Sequence, residues 1–169
     1  MKNTLLLSFL LLGGILVAQT KTPFYEQLAF DLYKTKILEA HPVPKKITIY
    51  ENAFGFHPTL FWNTPPSCFP NVTAKRGVKF KEISAYAKKH WENDSDYFEL
   101  DFSNLNKKQF KIKKKRKGKF PKLFISLPFI EQKKSRRIFV TIYEKYENKE
   151  VLYHIEFTKN GDIVDWCRM

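Results

Sequence analysis

The stretch from Arg137 to Trp166 limits what this chain can fold into more than any other part of it. Ile138, Val140 and Ile142 alternate with Phe139, Thr141 and Tyr143, and the break Glu147-Asn148-Lys149 follows. Val151, Tyr153, Ile155 and Phe157 then alternate with Leu152, His154, Glu156 and Thr158. A second break, Lys159-Asn160-Gly161-Asp162, leads into Ile163-Val164-Asp165-Trp166. Successive side chains of an extended chain point to opposite faces, so a period of two in β-branched and aromatic residues specifies strands. Asn-Gly chemistry supplies the positive φ that tight turns need. The expectation is a meander of consecutive antiparallel strands with one side buried under the rest of the chain.

A helix is the natural cover. Thr22-Pro23 reads as an N-cap followed by the first helical position, with Glu26 in the first turn. Phe24, Leu28 and Leu32 share a broad face with Tyr25, Ala29 and Tyr33, Ile37 continues it to about Ala40, and His41-Pro42-Val43-Pro44 ends it. Ile47 and Ile49 alternate with Thr48 in a short strand, and Phe98, Leu100 and Phe102 alternate with Tyr97, Glu99 and Asp101 in another. Leu123 to Ile130 is extended, with Pro128 marking an edge or a bulge. Val78-Lys79-Phe80 reads as a strand edge, and Glu82 to Trp91 as a helix of two to three turns with Ile83, Tyr86 and Ala87 inward. Sixteen Phe and eight Tyr against six Gly describe an aromatic core rather than disorder.

The N-terminus carries export chemistry. Lys2 precedes an apolar run from Thr4 to Val17, and Ala18-Gln19 is a candidate cleavage point. The run is short for a membrane span and holds Gly13-Gly14, so residues 1–18 read as a signal peptide, with an uncleaved anchor as the alternative. Residues 19–169 then form a single exported α+β domain, periplasmic or secreted, with no transmembrane segment after cleavage. Export makes the only two cysteines, Cys68 and Cys167, a disulfide candidate. Closing a loop of about 100 residues would stabilise by roughly 4 to 5 kcal/mol in the chain-entropy view. Unpaired thiols or a bridge between chains are the competing readings.

The formal charge is +13, and its placement matters more than its size. Ten basic residues and no acid lie between Lys107 and Lys122; without them 20 Lys and Arg face 17 Asp and Glu. Phe110, Ile112 and Phe120 interleave with the cations. Such a segment suits anionic envelope or extracellular material, a polymer or lipid headgroups, through Lys111, Lys113, Lys114, Lys115, Arg116, Lys117 and Lys119. Specific nucleic-acid binding is disfavoured, since no recognition motif accompanies the charge. Three plainer readings compete: Glu99 and Asp101 on a partner strand balance some lysines, the lysines guard an exposed sheet edge, or the loop is solvated and idle.

Catalysis finds little support. His41, His57, His90 and His154 are scattered, and no HExxH, G-x-S-x-G, P-loop or dinucleotide glycine pattern occurs. His154 and Glu156 share a strand face, which reads as a surface pair. Glu92, Asp94, Asp96 and Glu99 lack the glycine and spacing of a calcium loop, so neither a metal nor a cofactor is implied. Asn71-Val72-Thr73 and Asn93-Asp94-Ser95 are formal glycosylation sequons. The proline- and aromatic-rich stretch from Glu51 to Lys75 reads as a packed loop. A small-ligand or hydrolytic pocket under its residues 54–69, with His57 and Trp62 as participants, is the alternative function; aromatics that simply plug the core are the plainer account.

The Ala18-Gln19 junction, Leu127-Pro128-Phe129, and the ending IFVTIYEKY…VLYHIEFTKNGDIVDW resemble small uncharacterised exported proteins of flavobacteria. The general shape is similar to cystatin-like or NTF2-like α+β folds, in which a curved antiparallel sheet wraps a helix. That resemblance implies compartment and architecture and carries no catalytic residue across. The chain is thus expected to be an exported, non-enzymatic α+β protein: an N-terminal helix packed on an antiparallel sheet that ends in a C-terminal β-meander.

Overall fold

The computed structural model describes residues 23–50, 52–54, 69, 97–114, 119–130 and 137–169. An N-terminal helical rod lies on a sheet, and the fold is α+β. The rod is α-helical over Tyr25–Leu32 (α1), π-helical over Tyr33–Ile37 and α-helical again over Leu38–Ala40 (α2). Its start differs from expectation. Phe24 is the N-cap, without a side-chain cap, so Pro23 lies before the helix rather than at its first position; Thr22 lies outside the described residues.

The π-turn has a geometric consequence. At 3.6 residues per turn, a stripe spaced by four drifts around an α-helix. The wider i→i+5 turn rotates the stripe back. Tyr25, Ala29, Tyr33 and Ile37 therefore all stay buried against the sheet. Phe30 joins them, edge-on to Phe102 and Phe110 at 5.9 and 5.8 Å between ring centres.

The strands are β1 (Ile47–Tyr50), β2 (Asn52–Phe54), β3 (Tyr97–Glu99), β4 (Phe110–Lys113), β5 (Lys122–Ile125), β6 (Phe129–Ile130), β7 (Ile138–Lys145), β8 (Glu150–Phe157) and β9 (Ile163–Arg168). The main sheet runs β4-β1-β5-β7-β8-β9, with β6 pairing β7 beyond the end of β5. Pro128 falls between β5 and β6, the interruption its missing N–H demands.

The β7-β8-β9 meander is antiparallel along its whole length, as the alternation requires. The sheet as a whole is not. β1 pairs in parallel with both β4 and β5, so the sheet is mixed. Period-two patterning identifies strands but carries no information on the direction of a neighbour; only short turns such as Asn160-Gly161 do that. The strand expected over Tyr97–Phe102 is regular only to Glu99 and pairs β2 in a separate two-stranded sheet.

Strands β7 and β8 of the meander are buried on both sides rather than one, whereas β9 is largely exposed. Ile138, Val140, Ile142, Val151, Tyr153, Ile155 and Phe157 face the helical rod, while Phe139, Thr141, Tyr143, His154 and Glu156 are buried on the opposite face. Phe69 packs there on Phe139 at 5.4 Å. Strands apolar in both phases are what two covered faces require. The extended segment Val78–Phe80, the helix Glu82–Trp91, both sequons and residues 1–22 lie outside the described residues.

The β8–β9 turn anchors the rod. The Thr158 hydroxyl donates to Asp162 Oδ2 (2.9 Å) and accepts from the Asp162 and Asn160 amides at 3.1 and 3.2 Å. The Tyr25 hydroxyl donates to the Lys159 carbonyl at 2.8 Å. Gly161 has φ of +89°, and a Cβ there would sit 2.8 Å from Leu28 Cδ1 and 2.9 Å from Pro23 Cβ. Gly161→Ala is expected to lower stability by about 2 kcal/mol, from left-handed backbone strain and the clash together. Urea melts of the two proteins would show the shift, and equal midpoints would mean that the turn does not press on the helix.

Candidate functional site

Along β7 the stripe Ile138, Val140, Ile142 continues in phase to Glu144, so the alternation that builds the core also drives a carboxylate into it. Glu144 is 1% exposed. Burying an ionisable group without partners is prohibitive, and here hydroxyls replace water. The Tyr33 hydroxyl, placed by the π-turn, donates to Oε1, and the Tyr146 hydroxyl donates to Oε2 at 2.6 Å. Tyr153 of β8 lies beside them, its ring 5.8 Å from that of Tyr33.

The electrostatics follow from this packing. Burial pushes the Tyr33 phenol well above its ordinary value, and the charge of Glu144 and the hydrogen bond to it add to the rise. Tyr146 moves the same way, burial first and Glu144 second. Tyr153 is raised to about 12, mainly by burial and by Glu144, with Arg168 opposing through hydrogen bonding and charge. All three phenols are neutral donors at physiological pH. Tyrosinate chemistry is closed to them.

Glu144, Tyr146 and Tyr153 of this cluster line a cleft of about 570 Å³ at the end of the sheet. Pro42, Val43 and Pro44, past the C-terminal end of the rod, form one wall with Phe120 and Pro121. The β7–β8 turn, closed by the Tyr146 amide donating to the Lys149 carbonyl at 2.9 Å, forms the other. Lys45, Lys149 and Arg168 bring positive charge to the lining, and Glu144 and Glu147 negative. Lys149 Nζ lies 4.8 Å above the Tyr146 ring. His41 packs edge-on to Trp166 at 6.0 Å and tilted on Tyr153 at 6.2 Å. The arrangement is a mixed apolar and cationic cavity in the size range of small-molecule sites.

The basic segment enters the structure as an edge strand. β4 is outermost in the sheet among the described residues, and its register neighbours on β1 are Ile47, Thr48, Ile49 and Tyr50. None is acidic. Glu99 belongs to β3, which pairs β2, and Asp101 follows it, so the cross-strand charge balance expected from those two acids does not occur. Asp101 instead accepts from the Ser103 amide at 2.8 Å, which holds its carboxyl below the usual range. Lys111, Lys114 and Lys119 are exposed, Lys113 half-buried, and Ile112 is 41% exposed between them. Lys115, Arg116 and Lys117 lie outside the described residues, as do His57, Trp62, His90, Glu92, Asp94 and Asp96.

The expectation that His154 and Glu156 make a surface pair is overturned. Both are buried. Thr141 Oγ1 lies 2.8 Å from His154 Nδ1, while Glu156 takes a two-point bond from Arg137, Nε to Oε1 at 2.6 Å and Nη2 to Oε2 at 2.5 Å. The guanidinium is flanked by Phe69 and Phe139 at 5.7 and 5.1 Å. The reason is the second covered face, which the alternation of β7 already permits. Cys167, opposite His154 on β9, is disulfide-bonded; Cys68 lies outside the described residues. Among the described residues no group of three His, Cys, Asp or Glu could hold a metal ion, and no helix is long and apolar enough to cross a membrane.

No family model, curated protein or solved structure matches this chain.

Burial holds the His154 imidazole down from 6.5 to about 4. Between those values the unfolded chain binds a proton that the folded chain refuses, so stability falls as the pH drops through this window. The loss from this group between neutral pH and pH 4.5 is expected to be about 2 to 3 kcal/mol. Urea midpoints across that range would show it, and His154→Gln should remove that part of the slope.

Proposed function

We propose that this chain is an exported, non-enzymatic binding protein that holds an anionic envelope or extracellular partner against the strand Phe110–Lys113 and its flanks. The observation that carries this reading is the position of Lys111 and Lys113 on the outermost strand among the described residues, with Thr48 and Tyr50 rather than an acid opposite them on β1. A cation balanced by a neighbouring carboxylate adds little to an anionic surface; one left unbalanced contributes about 1 kcal/mol near such a surface. The other side of the reading is the leader-like run at residues 4–17. The disulfide-bearing strand β9 suits an oxidising compartment.

The hydrolytic alternative draws on His57 and Trp62. Of the described histidines, His154 is sealed in the second face, and His41 lies against the rings of Tyr153 and Trp166 at the cleft above Glu144.

Charge reversal of Lys111 and Lys113 together should weaken retention on vesicles containing anionic phospholipid by about 2 kcal/mol, roughly thirtyfold, with the far-ultraviolet spectrum unchanged. Retention should also fall steeply with added salt. Retention equal to wild type would remove the proposal.

Cys68 is the one other cysteine of the chain and so our assigned partner for Cys167. Peptide mapping without reduction should yield a linked pair containing both residues, and Cys167→Ser should lower stability by about 2 to 5 kcal/mol. A free Cys68 thiol in the oxidised protein would contradict the pairing.

A further inference from the structure

The cleft above Glu144 has a chemistry of its own, separate from the basic edge. Its walls are apolar on the side of Pro42, Val43, Pro44, Phe120 and Pro121. Its floor is a carboxylate, Glu144, each of whose oxygens already accepts a tyrosine hydroxyl. Those hydroxyl protons are committed inward, so they are not available to a ligand. The charged donors of the lining are Lys45, Lys149 and Arg168, beside the neutral groups of His41 and Asn148. Arg168 lines the cavity, and its hydrogen bond to the Tyr153 hydroxyl orients the guanidinium fork. Lys149 is steadied over the Tyr146 ring, and Lys45 also lines the cavity.

Arginine forks match planar carboxylates in two parallel bonds. Three cations and two carboxylates line the cavity, a balance of one positive charge. We infer that this cleft binds a small monoanionic carboxylate with an apolar body, its carboxylate on Arg168 and Lys149 and its hydrocarbon against the proline and Phe120 wall.

Three features support the class over its neighbours. A neutral ligand would leave Arg168 and Lys149 facing an apolar molecule, and their desolvation would oppose binding. A dianion would exceed the local charge balance and approach the buried Glu144 carboxylate. A purely polar anion would leave the apolar wall wet and gain nothing from it. The volume of about 570 Å³ admits a hydrocarbon chain or ring of moderate size alongside the charged head.

The test titrates sodium decanoate, below its micellar concentration, into the full chain by calorimetry, with decanol and decyl phosphate as comparison ligands. Saturable one-to-one binding of decanoate is expected, with decanol and decyl phosphate each at least tenfold weaker. Arg168→Gln should weaken decanoate at least tenfold, while Lys111→Glu with Lys113→Glu should leave it unchanged. Should Arg168→Gln fail to fold, Val43→Trp fills the cleft from the half-buried loop and leaves the Arg168 pairings in place; it should abolish binding. The proposal is overturned by decanol or decyl phosphate matching decanoate, or by no saturation below millimolar decanoate. It is overturned equally if Val43→Trp or a folded Arg168→Gln binds like wild type, or if binding is lost only with the β4 lysines.

Discussion

A carboxylate held away from water must be solvated by the protein, and meeting that demand for Glu144 fixes the geometry around it. Tyr33 reaches it from the helical rod and Tyr146 from the β7–β8 turn, with Tyr153 alongside on β8. Each arrives through a separate local device. The π-turn keeps Tyr33 over the sheet where a regular helix would have carried the stripe away. Strand alternation places Tyr153 on the rod-facing side. The tight turn after Lys145 folds Tyr146 back over the last core position. An unsatisfied oxygen here would cost about 1 to 3 kcal/mol or more, so the three elements are mutually constrained in register. The cleft is the space left at the perimeter of that arrangement.

The second face solves the same problem with different chemistry. Glu156 meets Arg137 in a two-point ion pair sandwiched by Phe69 and Phe139. Ser126 accepts from the Thr141 amide and donates to the Leu127 carbonyl, both at 2.8 Å, where the chain leaves β5 for β6. Thr141 turns its own hydroxyl to His154. Buried polar pairs add modest net stability, because desolvation offsets much of their attraction. They do penalise alternatives. A one-residue slip of β8 against β7 would separate His154 from Thr141, push Val151 and Ile155 to the wrong face and leave Glu156 without Arg137.

Much of this is legible in the sequence, and the limits of that reading are physical. The meander, the helical rod, the strand Ile47–Tyr50 and the interruption at Pro128 follow from period and punctuation, which are local properties. The parallel pairing of β1 with β4 and β5 is a choice made between distant segments, and no local pattern encodes it. Glu144 is the missed signal: it continues the Ile138-Val140-Ile142 phase, so the amino-acid order alone shows an acid standing in an apolar stripe. Tyr33 and Tyr153 lie in the apolar stripes of their own elements and pass as core. Arg168 sits past the last clear alternation and carries no mark. The basic segment stands out, but its balance by Glu99 and Asp101 rests on proximity along the chain, which does not decide strand neighbours.

Among the described residues β9 and β4 are the two outermost strands of the main sheet, and they are handled differently. On β9 the exposed Ile163 and Val164 would invite another strand, yet Asp165 takes the Trp166 N–H at 2.8 Å and withholds that donor from an incoming chain. Asp165 thus blunts that edge locally, with one side chain acting on one backbone group. β4 carries Lys111 and Lys113 in a four-residue strand, with Lys114 directly after it. Edge protection accounts for one or two such charges, since a single inward or edge lysine already disfavours strand addition. Ten basic residues with no intervening acid from Lys107 to Lys122 go beyond that need. Like charges so close along the chain repel, and the residues opposite Lys111 and Lys113 on β1, Thr48 and Tyr50, are not carboxylates. Defence of an edge therefore leaves most of that run of cations unaccounted for, and it is this surplus that the anionic partner proposed above would use.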